Sequence, residues 1–359
     1  MPSKILAIIV TIATMLLAMG HSTSVHELEF PSRAETTVSV HPAPFSGGLP
    51  SGTVLLITSD TMWIVDPEDL HLEFYGKLVS DLKTSWIILS KNAEKIYYVQ
   101  SPVNRPTPRD EITITQVDTT TQTRKVIWQT VGFIDLDLSP NGSKAIVVHP
   151  LEVETFRNGS PLTFCILDIT SGECLESNLR VYRTQWIDDD TVVTLSMNQR
   201  RISKVNAATL EVEELFESWA ISQVAFVPSR NELLIAEKPS ADHEIEFAVL
   251  NWSTSVASVL PYGVEDVYCP ALDYLSVSPD GQYMIYSCAG PRVLADYQTG
   301  KSIAEFEHMG FSQWSADSKS IIAFLVNEEA RSLVRIDVPT GKLVASVDFP
   351  GRGVLVTVP

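Results

Sequence analysis

Apolar runs of four to six residues recur along the chain, as in Ala145-Ile-Val-Val148, Leu233-Leu-Ile-Ala236 and Ile321-Ile-Ala-Phe-Leu-Val326. Their Val, Ile, Leu and Phe content, without polar alternation, predicts strands covered on both faces. Turn signals interrupt every run within about eight residues, below a typical helix length of about 11, so the pattern predicts an all-β chain.

Two kinds of turn alternate between these runs. One is an Asp or Asn followed by a polar turn, clearest in Asp296-Tyr-Gln-Thr-Gly-Lys301 and Asp337-Val-Pro-Thr-Gly-Lys342 and weaker at Asp66, Asp118, Asp168, Asn206 and Asn251. The other is clearest in Ser278-Pro-Asp-Gly281 and Ser139-Pro-Asn-Gly142, with echoes starting at Leu49, Ser90, Ile187, Val227 and Ser315. The Asp and Asn positions are 52, 50, 38, 45, 45 and 41 residues apart. A four-stranded propeller blade needs about 40–45 residues, so the spacing predicts a β-propeller of seven blades with four antiparallel strands each. The innermost strand is expected before the Ser-Pro-Asp-Gly turn, the second after it, the third ending at the Asp motif and the fourth following Thr-Gly-Lys.

The first unit has a turn at Leu49-Pro-Ser-Gly52 but a poor strand before it, broken by Pro42 and Pro44. The tail Gly353-Val-Leu-Val-Thr-Val358 is a strand without a unit. It is expected to pair into the first blade and close the ring, because closure removes exposed sheet edges. The propeller domain then spans 48–359, preceded by a linker over 21–47. Residues 1–20, with Lys4 ahead of the apolar run Ile5 to Met19 and small residues Ala18 and Gly20, read as a secretory signal. That run is shorter than the ~20 apolar residues of a spanning helix. The chain is expected to be exported to the periplasm, the medium or the cell surface, with no transmembrane segment in the mature form.

The last two units and the third resemble the WD40-like repeats of TolB-type exported propellers. The resemblance rests on Ser278-Pro-Asp-Gly-Gln-Tyr-Met-Ile-Tyr286 through Lys301, and on Trp314-Ser-Ala-Asp-Ser-Lys through Lys342. It implies the fold, and scaffolding or binding as the usual role. Propellers also carry lactonases, peptidase gates and redox enzymes, so the resemblance implies no single activity.

The formal charge of −18 repels polyanions and argues against nucleic acid. Four cysteines suit an oxidising compartment. Cys165 and Cys174 flank the turn at Thr170, and Cys269 and Cys288 bracket the Ser-Pro-Asp-Gly turn, so two disulfides across hairpins are expected, with four free thiols as the alternative.

Local chemistry motifs are sparse. Gly300-Lys301-Ser302 looks like the end of a phosphate-binding loop, but the loop's first glycine falls at Ala295 and no helix follows, so a hairpin turn is expected. Asp188-Asp189-Asp190 has the carboxylates of a calcium site yet occupies a turn position, where Asp is favoured for its backbone bonds. Asp135 and Asp137 should share one face of an inner strand. Asn141, Asn158 and Asn251 match glycosylation acceptors. There is no Gly-x-Ser-x-Gly elbow and no His-Glu-x-x-His, and no cofactor or metal is expected.

Loop length carries the functional signal. Connections between second and third strands are long at about 101–110, 149–161 and 237–246, and strand direction places them on the rim that also holds the blade crossings. Long loops on one face of a rigid scaffold are where binding sites are built. This rim is expected to carry Arg105, Arg109, His149, Phe156, Arg157 and His243, with Arg183, Trp219 and His308 added by the crossings. The expected function is binding of a protein or glycan partner. The alternative is a hydrolase or lactonase with a metal-assisted site over the channel, built from His149, His243 and His308 with Glu152, Glu154 and Asp242.

Overall fold

The computed structural model describes residues 48–58, 61–77, 83–90, 93–101, 111–121, 123–131, 135–152, 161–240, 243–264, 269, 271–288, 290–326, 331–349 and 353–358. The expected signal and linker, 1–47, lie outside the described residues.

The apolar runs are strands, and they group in fours. The first unit holds β1 (Val54–Thr58), β2 (Thr61–Val65) and β3 (Leu72–Lys77). The second holds β4 (Lys83–Leu89), β5 (Lys95–Ser101), β6 (Glu111–Asp118) and β7 (Arg124–Val131). The third holds β8 (Asp135–Leu138), β9 (Lys144–Pro150), β10 (Leu162–Asp168) and β11 (Cys174–Glu176). The fourth holds β12 (Val181–Asp188), β13 (Thr191–Ser196), β14 (Arg201–Asn206) and β15 (Val212–Glu217). The fifth holds β16 (Ala220–Val227), β17 (Glu232–Lys238), β18 (Ile245–Asn251) and β19 (Val256–Val264). The sixth holds β20 (Tyr274–Val277), β21 (Tyr283–Ser287), β22 (Arg292–Asp296) and β23 (Ser302–Phe306). The seventh holds β24 (Met309–Trp314), β25 (Ser320–Val326), β26 (Arg331–Asp337) and β27 (Lys342–Asp348).

The remaining strand, β28 (Val354–Thr357), pairs with β1 from Val54 opposite Thr357 to Ile57 opposite Val354. It completes a four-stranded sheet in the order β28-β1-β2-β3, the pairing into the first blade that the tail's sequence predicts. All pairings are antiparallel, and the fold is a β-propeller of seven four-stranded units. Units three and four share one continuous sheet only through a single residue pair, Leu162 with Val181.

Among the described residues, seven hydrophobic cores lie between neighbouring units. Leu55, Met62, Ile96 and Tyr98 join the first and second, and Val227, Leu234, Met284 and Ala295 join the fifth and sixth. Leu56 and Leu355 of the first unit pack with Ile322 and Phe324 of the seventh.

The turns are built from local chemistry. The Asp or Asn of the first motif accepts backbone N–H bonds two and three residues on: from Thr170 and Ser171 to Asp168 at 2.9 and 2.8 Å, and from Gln298 and Thr299 to Asp296 at 3.0 and 2.8 Å. Bonds of this kind, at Asp118 from Thr120 and Thr121 at 3.0 and 2.7 Å, hold the carboxyls of Asp118 and Asp168 below the ordinary value. A left-handed residue sits four positions after the motif, with φ of 62 at Leu70, 75 at Gly172, 57 at Leu210, 55 at Ser255, 67 at Gly300 and 65 at Gly341. The second motif uses a serine hydroxyl that accepts the N–H five residues later, at 2.9 Å from Lys95 to Ser90, 3.1 Å from Lys144 to Ser139 and 3.0 Å from Tyr283 to Ser278. Gly300-Lys301-Ser302 is accordingly the hairpin turn between β22 and β23.

Both expected disulfides are present, Cys165–Cys174 and Cys269–Cys288, each with Cα atoms 5.6 Å apart. Such cross-links stabilise mainly by restricting the unfolded chain, here over sequence separations of 9 and 19 residues.

Left-handed backbone favours glycine, and the turns differ in whether they have it. Ser255 is exposed at φ 55, so Ser255→Gly should stabilise the fold by about 0.5–1 kcal/mol. A Cβ at Gly300 would lie 2.3 Å from the Tyr262 ring, so Gly300→Ala should destabilise by about 2 kcal/mol or more. Urea unfolding of both variants checks the pair, and equal midpoints would refute the strain account.

Candidate functional site

Strand direction puts every connection between second and third strands on one rim, together with the crossings between units. Strand limits leave two long connections, 102–110 and 151–161. The one expected at about 237–246 shortens to 239–244, close to 197–200, 288–291 and 327–330, because β17 runs to Lys238 and β18 begins at Ile245. Arg105, Arg109, Phe156 and Arg157 belong to the first two of these connections and lie outside the described residues, as do Asn158, Glu154 and Asp242.

Two expected loop residues are strand residues instead. His149 belongs to β9, which runs on to Pro150 because Leu162 pairs opposite it. Its Nε2 lies 3.0 Å from Glu176 Oε2 on the outer strand β11, and its Nδ1 3.1 Å from the Pro150 carbonyl. Arg183 belongs to the inner strand β12, which begins at Val181, and there it donates to the Gln223 side chain of β16. Gln223 in turn donates to the Leu272 carbonyl at 3.2 Å, so this arginine stitches inner strands together.

The remaining three sit on the rim. Trp219, 48 % exposed, lies at the crossing from β15 to β16 and carries the Arg200 guanidinium 4.6 Å from its ring centroid. His243 Nδ1 is hydrogen-bonded to the Ser240 hydroxyl within the short 239–244 connection. His308 lies at the crossing into β24 with a left-handed φ of 63, beside a pocket.

That pocket, about 570 Å³, is lined by Asp273, Tyr274, Ser287, Gly290, Pro291, Arg292, Glu307, His308 and Met309. Register builds it. Tyr274 on β20 is opposite Ser287 on β21, which is opposite Arg292 on β22, so three side chains from three strands form one row at the rim. The Arg292 guanidinium lies 3.9 Å from the Tyr274 ring centroid and donates to the Ser312 hydroxyl of β24 at 2.8 Å. Ser287 donates its hydroxyl to Asp273. The sequence pointed only to His308 here, because the other members come together through register rather than through a motif.

Metal-type ligands converge once among the described residues, at His149, Cys165 and Glu176. The Cys165 sulfur is bonded to Cys174 and offers no thiolate, which leaves a histidine–carboxylate pair. The three aspartates at 188–190 diverge. Asp188 accepts from Asp190 N–H at 2.9 Å, Asp189 accepts from Asn141 N–H at 2.7 Å, and Asp190 meets Lys144 Nζ at 3.0 Å. The last two tie the fourth unit to the third.

On β8, Asp135 and Asp137 alternate with buried Leu136 and Leu138 and share the opposite face. Burial, reinforced by the Asp135 charge, pushes the Asp137 carboxyl up to about 6. Asp135 is also raised by burial, against the Leu136 N–H and the Arg183 charge, which lower it.

No protein-family model and no curated protein sequence matches the chain. Solved structures do. An oligogalacturonate lyase in complex with manganese superposes with a TM-score of 0.62 at 16% identity, over 83% of this chain and 90% of that one. An oligogalacturonate lyase from Vibrio parahaemolyticus gives 0.62 at 13%, over 84% and 92%. TolB from Acinetobacter baumannii gives 0.48 at 14%, over 88% and 66%. The lyase likenesses agree with the propeller fold at identities that carry no function. Among the described residues no helix is long and apolar enough to cross a membrane.

The Asp137 shift has a definite sign. An acid whose folded value lies above its unfolded value of 3.8 binds its proton more tightly in the folded state. Its stabilising share is full below the unfolded value and is lost as pH rises through about 6. Asp137→Asn should therefore raise Tm by a few degrees near neutral pH and flatten the profile between the two values. Thermal melts across that window check it, and a profile identical to the parent's would rule Asp137 out.

Proposed function

We propose that the chain is an exported propeller module that binds a protein or glycan partner through the rim described above. The observation that supports it best is the gathering of long connections on the rim that also holds an open polar pocket and an exposed Trp219. Aromatic and arginine side chains at a partly desolvated surface are the usual anchors of recognition. Two disulfides suit an oxidising compartment, in keeping with export. The enzyme alternative requires His149, His243 and His308 to converge. His149 and His243 instead have separate local partners, Glu176 and Ser240, and His308 lines the pocket between the sixth and seventh units.

The test is affinity capture from the native cell envelope and medium with the signal-free protein. Beside it run Trp219→Ala and a variant whose 102–109 and 152–160 segments are replaced by short Gly-Ser links. A partner captured by the parent and lost from the trimmed variant, with Tm held, is the expected result. Undiminished capture by the folded variants would move the binding face elsewhere.

A further inference from the structure

The rim pocket between the sixth and seventh units holds an arginine fixed in place by a ring and a hydroxyl. Arg292 is braced on one side by the Tyr274 ring at 3.9 Å and on another by the Ser312 hydroxyl at 2.8 Å. Ser312 is itself 9% exposed, so the anchor is part of the packed β24 strand. The ion pairs among the described residues use Lys144, His149, Arg201 and Lys319, and none uses Arg292. Two described arginines of the same rim are committed elsewhere: Arg200 covers Trp219, and Arg201 meets Glu214 and Glu217.

A guanidinium has five N–H donors in a planar fork that matches a carboxylate. The Ser312 bond uses one of them, and stacking on a ring leaves the in-plane donors available. Because side-chain order is already set by ring and hydroxyl, little rotamer freedom remains to be lost on binding. The rest of the wall has the opposite character. Asp273, held by the Ser287 hydroxyl, and Glu307 accept hydrogen bonds, and two such acceptors repel a bare dianion.

The geometry points to a carboxylate-recognition subsite. A ligand carboxylate pairs with Arg292, and hydroxyl or ammonium donors on the adjoining carbons of the same ligand meet Asp273 and Glu307. The ligand class is a small monocarboxylate rich in hydrogen-bond donors, a hydroxy acid or an amino acid, free or as the end of a larger partner. This deepens the rim reading and rests on it for the site's place in recognition.

The probes are sodium D-gluconate and L-serine, with D-glucose as the uncharged control. They are titrated calorimetrically into the signal-free protein at constant ionic strength up to about 10 mM. Saturable binding of gluconate or serine, without binding of glucose, is expected, and which carboxylate binds identifies the donor type. Arg292→Gln should weaken it about tenfold or more, and Arg292→Lys less. Ser312→Ala, which frees the guanidinium but keeps the charge, provides a second variant should Arg292→Gln fold poorly, and should weaken binding too. No saturable binding by folded parent protein, equal binding of glucose, or affinity unchanged in these variants overturns the inference. If it fails while trimming the rim still abolishes partner capture, the rim reading stands; carboxylate binding without any captured partner gives the reverse.

Discussion

The second strand of each blade is buried on both faces, and alternate side chains feed two different cores. On β9, Ala145 and Val147 pack toward the second unit while Ile146 and Val148 pack toward the fourth. On β17, Leu233 and Ile235 face the fourth unit, and Leu234 and Ala236 the sixth. On β25, Ile321 and Ala323 face the sixth, and Ile322 and Phe324 the first. Each such Val, Leu, Ile or Phe contributes about 1.5–3 kcal/mol from burial and each alanine less, so a unit that loses one neighbour exposes one of the two faces that stabilise it. The blades are consequently interdependent, and the central positions of these strands are closed to polar substitution.

That constraint explains what the sequence revealed. Double burial removes the polar alternation of an ordinary surface strand, which is why the apolar runs look continuous and why their length, not their period, separates them from helices. The two turn series were legible because each turn is decided by its own residues. Asp168 reaches N–H groups two and three positions on, and Ser139 one five positions on, whatever lies elsewhere in the fold. The tail strand was legible for a complementary reason: its apolar run had no unit of its own to complete, and Val54 to Ile57 pair with it.

The rim was legible only in outline. Connection lengths follow from strand limits, but the limits themselves depend on pairing. His149 was read as a loop residue, although Thr163 lies opposite it and extends the ladder. Arg183 was read as a crossing residue, although the β12 ladder starts before it and its guanidinium finds Gln223 on the next inner strand. The row of Tyr274, Ser287 and Arg292 has no local signature at all, because two separate registers create it. A single residue's slip in either would send the row to opposite faces of the sheet.

Polar chemistry in such a molecule is confined to what the sheet cores leave over: the inner strands, the outer strands and the two rims. On the inner strands the polar groups are engaged in holding neighbours together, as Arg183 holds Gln223 and as Trp314 donates to Ser276 at 2.9 Å. Asp137 shows the cost of placing a carboxyl there, for burial and the neighbouring Asp135 charge raise it even though the Trp186 and Leu138 N–H groups oppose the shift. The rim differs because its side chains are anchored from below by ordered strands and open above to solvent. Arg292 meets both conditions, fixed by Tyr274 and Ser312 and facing a cavity of about 570 Å³. A cation positioned by a ring and a hydroxyl, and engaged in none of the ion pairs among the described residues, keeps donors that a ligand can use.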